Sequence, residues 1–357
     1  MHLHESVLID TKDGMQCKTY ANSHPEGRVI VKPKYIPCGL IKTKELKHRF
    51  IFEKCMIRFN LFTKKESADE NFKSFKKSFP DYVFEDKNHQ TWFFAVPVSR
   101  IKKVYDPKKG LMELMKTPYG ELDDYLKAAV DFIKFITKSG ISIKDIGINN
   151  STLLGNYTPG KSDIDILVFG KSNGWKAIRF LEKAEHPKLK WKTGQDWEKY
   201  FTERVVSKHY TKEEYAHNMA GKKDDGFFDS NVFSIFCIEN PEETWYDWTE
   251  KHEPMGTAKI TARIKDDYNS IVRPGCYEVE DSKIIEGKHD VEVKRIVTWS
   301  RPFVLQARKK ETVEACGLLE KVKSKTGEYH QLVIGYMDAY TTGRAEKEYM
   351  KAMIKRK

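Results

Sequence analysis

No stretch of the 357-residue chain stays apolar for the roughly 18–20 residues that a membrane-spanning helix requires, so an integral membrane protein is not expected. The opening residues Met1-His2-Leu3-His4-Glu5-Ser6-Val7-Leu8-Ile9-Asp10 lack a basic segment followed by a long apolar one, which argues against a secretory signal. No CxxC pair occurs among Cys17, Cys38, Cys55, Cys237, Cys276 and Cys316, and no histidine stands beside them at zinc-finger spacing, so zinc is not expected. The even count permits three disulfides. A chain of this size needs no such staples, however, and the expectation is reduced core thiols in a cytoplasmic protein. Internal repeats and low-complexity tracts are also missing.

What is present is positive charge. Lys plus Arg number 63 against 52 for Asp plus Glu, giving a net charge of +11 and a pI near 9.1. A basic balance favours polyanionic partners such as nucleic acid, nucleotides or anionic lipid. The plainer reading is a basic soluble surface. An aromatic content of 12% argues against global disorder.

Three textures follow one another along the chain. Residues 1–109 read as a mostly β domain with one helix. Val29-Ile30-Val31 and Trp92-Phe93-Phe94-Ala95-Val96 are strand-like, while Phe72, Phe75 and Phe79 recur at helical spacing before Pro80. That phenylalanine stripe is read as core packing rather than a base-stacking platform. Residues 110–245 alternate helix and strand. An amphipathic helix carries Leu122, Tyr125, Leu126, Ala129, Ile133 and Ile136, and strands are expected at Lys144–Ile148, Asp163–Phe169 and Asn231–Ile238. Residues 256–340 read as short strands forming a small barrel, OB-like in outline, and 341–357 as a basic helical tail. The fold class expected is α+β.

The run Ser162-Asp163-Ile164-Asp165-Ile166-Leu167-Val168-Phe169 carries the chemistry. Residues i and i+2 of a strand face one way, so Asp163 and Asp165 project together while Ile164, Ile166 and Val168 face the other side. Two adjacent carboxylates repel unless a cation lies between them. Hard oxygen donors suit Mg²⁺, whose remaining positions go to phosphate oxygens and water, the arrangement expected for metal-assisted nucleotidyl transfer. Alone, such a pair is also what a solvated strand end looks like. Upstream, Asn150-Ser151 follows a strand and opens a helix, where backbone N–H groups and a hydroxyl can hold phosphate, and eleven residues separate Ser151 from Asp163. An alternative placement on Gly155-Asn156 leaves a shorter spacer.

This pattern resembles the nucleotidyltransferase superfamily that includes DNA polymerase β, in which a strand leads to Gly-Ser or Gly-Gly at a helix start and, after a spacer of similar length, to Asp-hydrophobic-Asp on the next strand. Asn150 stands in the glycine position, and asparagine tolerates the left-handed conformation better than most residues. More narrowly, the chain is similar to an archaeal group of predicted nucleotidyltransferases in His24-Pro25-Glu26-Gly27-Arg28-Val29-Ile30 with Lys34-Tyr35-Ile36-Pro37, in Val104-Tyr105-Asp106-Pro107, and in Ser151 to Gly170. The resemblance implies that Asp163 and Asp165 ligate Mg²⁺ and that Ser151 touches the triphosphate of an NTP. It also implies a third carboxylate, acting as base, on a later strand. Asp229 and Glu239 flank the Asn231–Ile238 strand, but each also reads as a strand-end charge.

Other residues have ordinary readings beside their functional ones. Lys161 adjoins the aspartates and would neutralise a phosphate, or be a solvated loop lysine. His209 and His217 read as surface or cap residues, Lys222-Lys223-Asp224-Asp225-Gly226 as a turn, and His2 and His4 as a frayed terminus. Trp299-Ser300-Arg301-Pro302-Phe303 and Arg308-Lys309-Lys310 mix rings and cations in a way that suits either nucleic-acid stacking or core packing. The function expected is Mg²⁺-dependent transfer of a nucleotide to an acceptor hydroxyl on RNA or DNA. The rival is a non-catalytic nucleic-acid-binding protein on a degenerate transferase scaffold.

Overall fold

The computed structural model describes residues 3–41, 48–51 and 53–353. The first part is an antiparallel sheet of β1 (Leu8–Thr11), β2 (Gln16–Thr19), β3 (Arg28–Pro37), β4 (His48–Ile51), β5 (Lys54–Arg58), β6 (Val83–Asp86), β7 (Thr91–Pro97) and β8 (Ile101–Val104). The strands run in the order β4-β5-β3-β2-β1-β8, with β7 joining β3 to β6. Helix α1 (Lys65–Ser78) covers it. Its buried Phe75 meets the rings of Phe94 at 4.6 Å and Phe59 at 5.3 Å, and Phe72 stacks on Trp92 at 4.0 Å, so the stripe packs against the sheet. The cysteines depart from the expectation of reduced thiols. Cys38 and Cys55 form a disulfide with Cα atoms 5.4 Å apart, because the antiparallel register Pro37↔Met56 sets the neighbouring residues side by side. Cys17, Cys237, Cys276 and Cys316 are free.

The middle of the chain is α/β: α2 (Pro107–Lys116), α3 (Asp124–Thr137), β9 (Ile146–Ile148), α4 (Asn150–Leu154), β10 (Ile164–Phe169), α5 (Lys171–Lys183), β11 (Leu189–Trp191), α6 (Gly194–Arg204), α7 (Lys212–Ala220), β12 (Asp225–Phe228) and β13 (Asn231–Ile238). The sheet order is β11-β12-β13-β10-β9. β10 and β13 are parallel, and the other pairs antiparallel. Period-2 alternation in β10 sends Ile164, Ile166 and Val168 into a core with Phe132, Ile133 and Ile136 of α3 and Ile178 and Leu181 of α5. The Asp123 side chain caps α3 by accepting from Leu126 N at 2.8 Å, and Thr193 and Thr211 close capping boxes on α6 and α7.

The last part comprises β14 (Lys251–Asp266), β15 (Gly275–Glu286), β16 (Val293–Thr298), β17 (Thr312–Ser324), β18 (Gly327–Ile334), α8 (Met337–Thr342) and β19 (Tyr349–Ala352). Pairing runs β14-β15-β16-β18-β17-β19, and β17 also pairs with β14 along most of its length. Only β16 and β18 are parallel among these pairs. The basic helical tail expected over 341–357 is corrected. α8 stops at Gly343, whose φ of +83° ends the helix, and Tyr349–Ala352 pairs with β17 because buried Tyr349 and Met350 belong to the core there. Residues 354–357 lie outside the described ones.

Three main cores cross these boundaries: the middle part's includes Ile271, Val272, Val304 and Leu305 of the last part, a second joins α6 and α7 to the strands of the last part, and a third joins the first and last parts. Leu3, Ile30, Phe93 and Phe94 pack in a single cluster with Val297, Trp299, Val333, Tyr336 and Met337. The Tyr20 hydroxyl donates to Trp299 O at 2.9 Å, and Arg273 lies over the Tyr20 ring at 4.0 Å while pairing with Glu5. The molecule is α+β, with several sheets. Among the described residues no helix is long and apolar enough to cross a membrane.

Candidate functional site

The antiparallel register of β9 on β10 puts Asn149 opposite Asp165, whose carbonyl accepts from Asn149 N at 3.0 Å. The chain then turns at Asn150 with φ +48°, the left-handed conformation that the glycine of the resembled motif would adopt freely. Asn150-Ser151 therefore lies directly beside the aspartate-bearing end of β10. Tyr125 of α3 ties the two together: its hydroxyl pairs with Thr152 Oγ1 at 2.7 Å and donates to Asp163 O at 2.9 Å. Burial pushes this phenol up to about 12, and the Asp165 and Asp163 carboxylates push the same way. Asp163, just ahead of β10, is exposed, and Asp165 is half-buried on the face opposite the core. Ser151 is half-buried in α4, which is only five residues long, and Lys161 is exposed in the Thr158–Ser162 turn.

Neither suggested third acid reaches the pair. Glu239 is buried and salt-bridged to Lys171 at 3.1 Å, and burial raises its carboxyl to about 7. It is five residues beyond Ser234, the partner of Asp165 in the β10–β13 register, or roughly 16 Å along an extended strand. Asp229 pairs with Lys188 at 3.0 Å, and Lys188 also binds Asp131 of α3 at 2.9 Å, which holds Asp229 toward the helix side of the sheet. The carboxylate that does share the row of Asp165 is Asp225 on β12, through Asp165↔Ser234 and Ser234↔Asp225. Ser234 Oγ donates to it at 3.3 Å, it pairs with Lys192, and burial raises its pKa. Sequence reasoning missed it because Lys222–Gly226 reads as a turn. Two strand spacings, roughly 9.6 Å, separate Asp225 from Asp165. Among the described residues no group of three His, Cys, Asp or Glu side chains can hold a metal ion.

Facing Asp165 is a row of cations from the first sheet. Lys18 on β2 is paired in register with Lys32 on β3, and Lys34 sits at the register shift that follows, close enough for its charge to act together with theirs. Lys34 Nζ donates to Asn150 Oδ1 at 2.9 Å. Lys18 Nζ lies over the Phe236 ring at 4.1 Å, and Arg301 lies over the same ring at 4.1 Å. Burial depresses all three ammonium groups, Lys18 to about 8 and Lys32 and Lys34 to about 7, and neighbouring cations add to the shift. The alternation of Lys32 and Lys34 with apolar neighbours was visible in the sequence. Their juxtaposition with Lys18 depends on strand pairing, and with Asp165 on the packing of two sheets, and neither was.

The other residues singled out in the sequence are placed as follows. His4 is held rather than frayed: Nδ1 donates to Glu239 O at 3.0 Å and the ring meets Phe169 edge-on at 5.3 Å, while His2 lies outside the described residues. Lys222 is 2% exposed, and its ammonium donates to the carbonyls of Arg301 at 3.1 Å and Pro302 at 3.2 Å, which occupies it structurally. Trp299 is fully buried and Phe303 nearly so, hence neither offers a stacking surface. Arg308 pairs with Glu182 at 3.0 Å. His209 and His217 are exposed, with His209 stacked on Tyr349 at 5.5 Å.

No protein-family model matches the chain. It is 26% identical over 348 residues to the uncharacterized protein MJ1086 of Methanocaldococcus jannaschii, covering 96% of this chain and 97% of that one. No solved structure matches.

Proposed function

We propose that the chain is a nucleotidyltransferase of the DNA polymerase β type, moving a nucleoside monophosphate from an NTP to an acceptor hydroxyl on RNA or DNA. The observation that carries the reading is the placement of Asp163 and Asp165 beside the left-handed turn at Asn150-Ser151, bound to it through Tyr125. The unit β9–α4–β10 with β13 parallel to β10 agrees with that superfamily's strand–helix–strand core. The closed circuit of pairings β14-β15-β16-β18-β17-β14, with its single parallel pair, agrees with a small OB-like barrel behind it.

The donor set suits Mg²⁺: two carboxylates and no nitrogen or sulfur, leaving positions for phosphate oxygens and water. Asp163 and Asp165 would hold the ion, which when bound supplies charge neutralisation at the phosphates. Ser151 and exposed Lys161 would contact the triphosphate, and the Lys34–Asn150 hydrogen bond fixes the turn that presents Ser151. Tyr125, neutral at physiological pH, braces both sides of the site without adding charge. These residues act by positioning and electrostatics.

One observation favours the second reading, a nucleic-acid-binding protein on a degenerate scaffold: Ser234 stands directly beside Asp165 on β13, and the carboxylate of that row, Asp225, is a strand further away and paired with Lys192. The decisive experiment incubates the full chain with labelled NTPs, Mg²⁺ and pooled RNA and DNA. Magnesium-dependent label transfer, abolished in Asp163→Ala and Asp165→Ala, supports the transferase. Absence of transfer, together with salt-dependent binding that is indifferent to both substitutions, supports the second reading.

A further inference from the structure

We propose that Lys18, Lys32 and Lys34 form a seat for the polyphosphate tail of a nucleotide, so that the N-terminal sheet supplies half of the binding site. The nucleotide rests on the transferase reading above. The polyanion rests on the geometry of the three lysines.

The argument starts from charge. Lys18 and Lys32 are cross-strand neighbours, and Lys34 lies at the bulge just beyond, where its charge acts with theirs. Their ammonium groups feel one another and feel Arg58, Arg273 and Arg301. Two carboxylates act on these lysines, and one of them, Glu5, is engaged by Arg273. The other, Asp165, acts on Lys18 and Lys34 and has no arginine partner among the described residues. Among the described residues, Lys18 and Lys32 make no hydrogen bond and no ion pair. Lys18 lies over Phe236 and Lys32 over Phe62, each at 4.1 Å. A ring face attracts an ammonium group without neutralising it. Lys34 has a neutral amide oxygen as its partner.

Half-buried like charges held together without counter-charge are costly, and a protein retains them where a ligand supplies the missing charge. The ligand must be an anion of several charges, compact enough to reach three ammonium groups on two adjacent strands. It must also lie against Asp165, whose own charge would repel it unless a cation intervened. A polyphosphate chelating a divalent ion meets each condition. The backbone of a nucleic acid would need an open track of exposed cations, whereas these lysines are half-buried, Lys18 against Phe236 and Lys32 against Phe62.

The test is calorimetric titration of the full chain with inorganic tripolyphosphate in the presence of Mg²⁺. Wild type is expected to bind. Lys32→Ala and Lys34→Ala should each weaken binding at least about ten-fold, as loss of a charged contact does. Lys309→Ala, at an exposed lysine outside the row, should leave it unchanged. Far-ultraviolet circular dichroism and a Lys32→Met variant keep the result independent of misfolding. Failure of wild type to bind, or binding indifferent to Lys32→Ala and Lys34→Ala, overturns the seat, as does equal competition by a single-stranded oligonucleotide lacking a terminal triphosphate. Lysine-dependent tripolyphosphate binding without label transfer from NTP preserves the seat and removes the transferase. Transfer that survives Lys32→Ala and Lys34→Ala does the reverse.

Discussion

Asn150 shows how one residue shapes the site: its left-handed backbone turns the chain toward Asp163, and its side chain accepts from Lys34. Alanine tolerates that backbone poorly and removes the acceptor. Asn150→Ala should therefore cost about 1–2 kcal/mol, while Asn150→Gly should be near neutral, both measured by urea denaturation. The lysine row has its own signature in pH. Lys32 and Lys34 titrate near 7 when folded, against 10.5 for an ordinary lysine. The native state thus binds fewer protons than the unfolded chain between those values, and these residues make stability rise with pH across that window. Lys32→Met should raise the urea midpoint at pH 7, by about 1 kcal/mol in stability, and the gain should shrink at pH 9. An equal gain at both values would show that charge is not its source.

At the scale of the element, β9 is positioned by a glycine. A Cβ on Gly147 would come within 2.6 Å of Pro107 Cβ and 2.9 Å of its carbonyl carbon, at the first turn of α2. Gly147→Ala should push α2 away from β9, destabilise the chain by about 1–3 kcal/mol in denaturant titration, and lower any transfer activity by displacing Asn150-Ser151. Elements with strong periodicity were legible in the sequence. The Leu122–Ile136 pattern became α3, and Asn231–Ile238 became β13 with the same bounds. Others were hidden for physical reasons. β12 begins within an acidic and basic cluster that mimics a turn, and β15 carries Glu278, Glu280 and Asp281 along its length. In β19 the buried Tyr349 and Met350, not local propensity, decide the outcome over a basic sequence that suggests helix. The acid pair and its turn were legible because they are close in sequence. The lysine row and Asp225 were not, since strand register brings Asp225 to Asp165 and packing of the first sheet on the middle one brings the lysines.

For the whole molecule, the governing fact is the core held jointly by the two ends of the chain. Arg273 fastens it, pairing with Glu5 and covering Tyr20. Arg273→Ala leaves the Glu5 carboxylate buried without its partner, and a loss of about 3–5 kcal/mol is expected in scanning calorimetry. The first and last parts should still melt in one transition, because the cluster they share spans both.

That arrangement also sets a timetable for synthesis. Glu5 leaves the ribosome 268 residues ahead of Arg273, and Tyr20 leaves 279 ahead of Trp299. At about 5–20 residues per second the delay is on the order of tens of seconds. Throughout that interval Phe93 and Tyr20 lack the indole that later covers them, so the nascent protein carries a sticky, half-finished surface. A growing chain of this kind is a natural client for chaperones that bind exposed aromatic segments.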